Sequence, residues 1–260
     1  ATSTVASQSR RKYFFTATPK MSAKHERGMN NEDVYGNNLI TVSADELLDC
    51  GAILPPTVNV HTVDTVRTRE EVADIDAETV LRVIQADDAE RVLVSAPSAR
   101  IINAMMAFTD LFRDLRQADY NVMTITSKHG AIINGKKVSR TSFFETLDNF
   151  SATGQKFVLF HYSILSEGIN VHGLTNVVLL RNLSTVEMAQ TIGRVIRLDT
   201  QDRNNISNGT LRPRAYHNYN KPTGFISIPV YSNYGKATAK RVQATVDTIF
   251  KKGRPATAWI

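Results

Sequence analysis

From residue 77 onward the chain alternates two kinds of segment: stretches with apolar residues at helical spacing, and short unbroken apolar runs. The alternation predicts a helix at 77–86 before a strand at 91–96 (RVLVSA), and a long helix at 98–117 before a strand at 121–126 (NVMTIT). A helix capped by Ser142 and Glu145 then leads to a strand at 156–164 (KFVLFHYSI), and a loop joins that strand to another at 176–180 (NVVLL). These runs lack the polar alternation of a strand with one wet face. They therefore belong in a parallel sheet covered by helices on both faces, a doubly wound α/β domain whose ligands gather at the carboxyl ends of the strands.

Upstream, the aromatic run at 12–16 (KYFFT) reads as a buried strand that stops at Pro19. Ser43, Glu46 and Gly51 frame a short helix, and Pro55 and Pro56 punctuate the chain before a strand at 58–63, where a domain boundary is expected. Beyond residue 198 the pattern lapses into a polar, basic stretch at 199–221, followed by a strand at 224–232 and an amphipathic helix at 236–252. Val242, Val246, Ile249 and Phe250 share one face of that helix.

Composition narrows the classes. A hydrophobic content of 42% across 260 residues fits a folded protein rather than a disordered one. No apolar run approaches the roughly 18 residues of a membrane-spanning helix, so no membrane partner is expected and the chain is assigned to the cytoplasm. Cys50 is the only cysteine, which excludes an internal disulfide and a cysteine-caged zinc. No other metal site is expected, because His161 and His172 lack helical metal spacing and a carboxylate or cysteine partner. The charge of +6 is compatible with a polyanionic partner.

Three constellations could carry chemistry. In residues 190–197 (QTIGRVIR), within a helix opened by Ser184 and Glu187, positions Gln190, Gly193, Arg194 and Arg197 fall on one face. Val186, Ala189, Ile192 and Ile196 fall on the other, so the helix is expected to be anchored by its apolar side and to present two guanidiniums outward. Such a pair can grip phosphate oxygens bidentately, although arginines there would also complement the helix dipole. Between two strands, at the carboxyl edge, Glu167, Gly168 and Asn170 offer acceptors beside a close backbone approach, or else form an ordinary connecting turn. Thr16 and Thr18, in residues 16–19 (TATP), place two hydroxyls at a strand's end.

In this order the three resemble motifs III, V and VI of superfamily 2 helicases. Residues 16–19 match the TATP of motif III, 166–170 the EGxD type of motif V, and 190–197 the QxxGRxxR of motif VI. The segment from Arg91 (RVLVSAPSARIINAMMAF) is similar to motif IV and its helix. The resemblance spans residues 12–198 and is nearest to the DEAH-like and restriction-motor branch, in which motif III is followed by segments like VYG at 34–36 and ELLDCGAILPP at 46–56. It implies a RecA-like fold, with 1–57 a remnant of a first RecA-like domain and linker, 58–198 the second RecA-like domain, and 199–260 a C-terminal extension. It also implies ATP with Mg²⁺ as cofactors, nucleic acid, DNA above all, as partner, and the upstream RecA-like domain as a second partner. Arg197 would be the arginine finger, Arg194 a second γ-phosphate contact and Gln190 an organiser of the interdomain interface. Glu167 and Gly168 would join the nucleotide site to the nucleic-acid track, while Thr16 and Thr18 would couple hydrolysis to strand binding. Asn170 departs from the family's aspartate, and an amide there carries no charge.

Such a motor needs a phosphate loop, G-x-x-x-x-G-K-S/T, and an acidic pair for Mg²⁺. The nearest string, GAIINGKK at 130–137, ends in Lys137 where a hydroxyl is required, and reads as a glycine-bounded surface loop. The expectation is a C-terminal half of a two-domain motor that hydrolyses no ATP alone. Arg212, Arg214, Tyr216, Tyr219 and Lys221 interleave cations with aromatics, as a single-strand groove would need or as a solvated loop would allow. The alternative reading is a non-catalytic α/β module that binds nucleic acid or a partner.

Overall fold

The computed structural model describes residues 12–162, 171 and 173–259. Its strands are β1 (Lys20–Met21), β2 (Pro56–Val63), β3 (Arg91–Ser95), β4 (Asn121–Thr126), β5 (Gly130–Ile133), β6 (Lys136–Val138), β7 (Phe157–His161), β8 (Asn176–Leu179), β9 (Gly224–Tyr231) and β10 (Ala258–Trp259). The α-helices are α1 (Glu32–Tyr35), α2 (Ala44–Asp49), α3 (Val72–Ala86), α4 (Ala99–Phe108), α5 (Leu111–Gln117), α6 (Arg140–Ala152), α7 (Thr185–Val195), α8 (Thr200–Ser207) and α9 (Lys236–Val246), the last running on into a π-helical turn at Asp247–Lys251.

Eight strands form one sheet in the order β2-β9-β8-β3-β7-β4-β5-β6, parallel from β2 to β4. Side chains of the central strands alternate between two cores. Leu93, Phe157, Leu159 and Val177 meet α6, α7 and α9 on one face, whereas Val92, Val94, Val158 and Phe160 meet α3, α4 and α5 on the other. This is the expected doubly wound α/β architecture. Truncating such a fully buried leucine, Leu159 for example, costs about 2–5 kcal/mol. Strand β9, from the stretch beyond residue 198, lies inside this sheet between β2 and β8.

Several elements differ from the sequence expectation. Residues 12–16 form no strand, and Tyr13, Phe14 and Phe15 are exposed; the nearest strand, β1, pairs instead with β10 in a separate two-stranded sheet. The helix expected at 98–117 is broken, because Thr109 turns extended and its hydroxyl takes the Met105 carbonyl at 2.6 Å, a local bond that competes with helix continuation. The cap of α6 is Ser139 rather than Ser142, whose backbone N–H the Ser139 hydroxyl accepts. The string at 130–137 is an antiparallel hairpin, not a loop. Asn134 (φ 49) and Gly135 (φ 83) supply the two positive φ values of its tight turn. Ladder bonds occupy the backbone that a phosphate loop would leave curled and free. Finally, the polar stretch at 199–221 contains α8 and a short 3-10 turn at Tyr216–Asn218.

Candidate functional site

Strands β3, β7 and β8 end in register, with Ser95 opposite both His161 and Leu179. The His161 ring is buried, and its Nε2 lies 3.0 Å from the Ser95 hydroxyl. Burial, reinforced by the charges of Arg181 and Arg194, pushes its pKa down to about 3, so the ring is neutral at physiological pH; its Nδ1 makes no hydrogen bond among the described residues. Just past β8, Arg181 donates to the Tyr162 carbonyl at 2.9 Å and to Glu187 at 3.0 Å. The other Glu187 oxygen accepts the Ser184 N–H while the Ser184 hydroxyl accepts from Glu187, which is the capping box read from the sequence. Burial works against the Glu187 charge, but these hydrogen bonds and Arg181 outweigh it and lower its pKa. Ser95, His161, Arg181, Glu187, Gln190 and Arg194 together line a small cleft between the strand ends and α7.

Helix α7 faces differently from its expectation. Ile192 and Ile196 are buried as expected, but Met188, Thr191 and Val195 are buried with them, whereas Val186 and Ala189 are only partly so. The helix is thus turned so that Arg194, expected outward, is 7% exposed and lies against the cleft. The reason is the bulk of Met188, Ile192 and Val195, which fills the core between the sheet and α9. The Arg194 guanidinium donates to the Gln190 carbonyl at 3.2 Å, and Gln190 itself is exposed. Arg197 follows the helix outside the cleft lining, half-buried; no hydrogen bond or ion pair reaches its guanidinium among the described residues. Burial lowers the pKa of both arginines, and the Arg197 charge lowers that of Arg194 further. A Cβ on Gly193 would meet nothing within 4 Å, so packing within this chain does not demand a glycine there.

The remaining expected residues divide. Glu167, Gly168 and Asn170 lie outside the described residues. Thr16 is exposed and Thr18 half-buried, the Thr18 N–H bonding the Thr16 hydroxyl at 3.1 Å, in a segment that joins the small β1–β10 sheet rather than the main one. The basic-aromatic series does not assemble into one groove. Arg214 is ion-paired at 2.6 Å to both Asp45 and Asp49 of α2, and Tyr219 is buried with its hydroxyl on the Arg212 carbonyl. Tyr216 packs edge-on against Tyr219, while Arg212 is exposed. Lys221, expected to face a ligand, is 2% exposed, and its ammonium donates to the Val195 and Arg197 carbonyls. Burial first, then the Arg91 charge, brings its pKa to about 7 against the opposing pull of Asp199 and Asp202.

Sequence reasoning passed over Ser95 and Arg181, and weighed His161 only as a metal ligand. One signal could have found them: each is a polar residue at, or just past, the carboxyl end of an apolar run, where this fold class places its ligands.

Residues 76–199 match the family of the helicase conserved C-terminal domain. No curated protein matches the chain in sequence. Among solved structures, the chain is similar to the ATP-dependent Type ISP restriction-modification enzyme LlaBIII bound to DNA, at 14% identity over 94% of this chain, with a TM-score of 0.56. It is also similar to a fragment assigned to the HsdR subunit of a type I restriction enzyme from Vibrio vulnificus YJ016, at 20% identity over 90% of this chain, with a TM-score of 0.56. The chain spans 19% of the length of the first and 41% of the second, and both likenesses concern the fold.

Proposed function

We propose, from the superfamily 2 helicase C-terminal domain that residues 76–199 form, that this chain supplies the arginine-bearing half of an ATP site in a DNA helicase or translocase. The observation that carries the reading is Arg197. A half-buried guanidinium with no partner among the described residues is a charge partly withdrawn from water without compensation, which an incoming anion would supply. Arg194, held on the preceding turn against the cleft, adds a second cation within electrostatic reach of the first. Two guanidiniums so placed would hold the terminal phosphate oxygens of ATP, where their charge opposes the charge that develops during transfer. Mg²⁺ and the phosphate loop belong, in this reading, to a first RecA-like domain; the hairpin at Gly130–Ile133 and Lys136–Val138 is built as sheet and is given no phosphate-binding part. Gln190, exposed on α7, would meet that domain, and Gly193 would let it approach. DNA is favoured over RNA because the two similar structures are a DNA-bound restriction-modification enzyme and a restriction-enzyme subunit fragment.

The test is DNA-stimulated ATP hydrolysis by this chain joined to a first RecA-like domain. Arg197→Ala should lower kcat by about 10³-fold or more while leaving the melting temperature unchanged. An unchanged kcat would refute the role of Arg197, and this chain on its own should show no turnover.

A further inference from the structure

A helix normally leaves its last carbonyls to water or to a glycine-closed turn. The end of α7 is finished differently. Three successive carbonyls, of Val195, Ile196 and Arg197, each receive a donor from a distant part of the chain: the Lys221 ammonium at 2.6 Å, the Leu54 N–H at 2.7 Å, and the Lys221 ammonium again at 2.6 Å. Lys221 is itself fixed, since its N–H and that of Asn220 each donate at 3.0 Å to Asp202, a carboxylate that is 1% exposed on α8. Gly224, at the start of β9, closes the third side. A Cβ there would lie 2.3 Å from the Val195 carbonyl oxygen, closer than any side chain tolerates. Leu54, Leu198 and Tyr219 pack together as a small core beside the turn.

Burying an ammonium is costly, and a helix end at a protein surface does not require it. What distinguishes this end is its cargo. Arg197 has no side-chain partner among the described residues, so its place is set through its backbone, and the backbone is what Lys221 holds. We infer that Lys221 is a positioning residue for Arg197: by bridging the Val195 and Arg197 carbonyls it fixes the turn from which the guanidinium projects. The functional weight of this rests on the phosphate-binding reading of Arg197; the positioning itself does not.

The two are separated by measuring the chain directly. In arginine-labelled protein, the Arg197 side-chain N–H resonance, identified by its loss in Arg197→Lys, reports the order of the guanidinium. Lys221→Met keeps the aliphatic stem and removes the donor. It should shift that resonance and lower its heteronuclear NOE while other arginine signals stay in place. In the joined two-domain enzyme it should lower kcat by roughly 10²-fold, the scale of an ångström of misplacement, with KM for ATP changed by less than about twofold. An unaltered Arg197 signal in folded Lys221→Met overturns the inference. If Lys221→Met does not fold, Lys221→Gln, whose shorter amide cannot span both carbonyls, decides by the same two outcomes. A loss of order in Lys221→Met alongside an unaffected ATPase in Arg197→Ala would leave the positioning intact and remove the catalytic reading instead.

Discussion

Arg67 and Arg197 are both drawn out of bulk water, yet their surroundings are opposite. Arg67 is bidentate to Asp76, a carboxylate with no exposed surface, and also donates to the Leu180 carbonyl at 3.1 Å. Its guanidinium lies 4.6 Å from the Tyr234 ring centre and 5.4 Å from that of Tyr231, whose hydroxyl bonds the same carboxylate at 2.9 Å. Burial works against the Arg67 charge, but Asp76 outweighs it and raises the pKa. For Arg197 burial acts unopposed and the pKa falls. One arginine is bound to a buried carboxylate and a carbonyl and stacks on β9, tying that strand to α3; the other is held at its backbone, its guanidinium without a partner among the described residues. On the function proposed above, the contrast separates an arginine that builds the fold from one that would bind a ligand.

The comparison can be broken by substitution. Arg67→Ala strands Asp76 in the interior and should destabilise the chain by about 3–5 kcal/mol, read as a lower urea midpoint. Lys221 comes next, through pH. Its folded pKa, about 7, is below the 10.5 of the unfolded chain, so between those values only the unfolded chain holds the proton. Stability should therefore rise from pH 7 toward pH 10, and Lys221→Met should lose that rise; equal slopes in the two proteins would contradict the burial of the ammonium. The smallest effect is the most telling. Arg197→Ala should leave unfolding stability within about 0.5 kcal/mol of the parent, because its guanidinium has no hydrogen bond or ion pair to lose among the described residues. A loss as large as that of Arg67→Ala would place Arg197 among the structural arginines.

Periodicity and capping made most of the architecture legible. The apolar runs read at 58–63, 91–96, 121–126, 156–164 and 176–180 overlap the main-sheet strands β2, β3, β4, β7 and β8 over their described residues, and Ser184 with Glu187 opens α7 as the spacing required. Legibility failed where a partner from elsewhere decides the outcome. The aromatic run at 12–16 reads as buried only if a sheet receives it, and here none of its residues joins one. Arg194 reads as outward from its charge, but the core demand of Met188, Ile192 and Val195 sets the rotation of the helix. Lys221 reads as one cation in a basic stretch, since backbone carbonyls leave no mark in a sequence. The hydroxyl of Thr109 and the Asn134–Gly135 turn are local, and could have been read as a break and a hairpin.

The place of β9 bears on how the protein is handled at the bench. The segment that matches the helicase family stops at residue 199, but β9 fills the position between β2 and β8 and carries the Gly224 contact with α7. A clone ended at that boundary would uncover the backbone edge of β8 and thin the cover of its buried side chains, Val177 on one face and Val178 on the other, an invitation to intermolecular strand pairing and inclusion bodies. The smallest piece worth expressing runs from β2 through α9, and a protease that spares this stretch while trimming outside it would mark its limits.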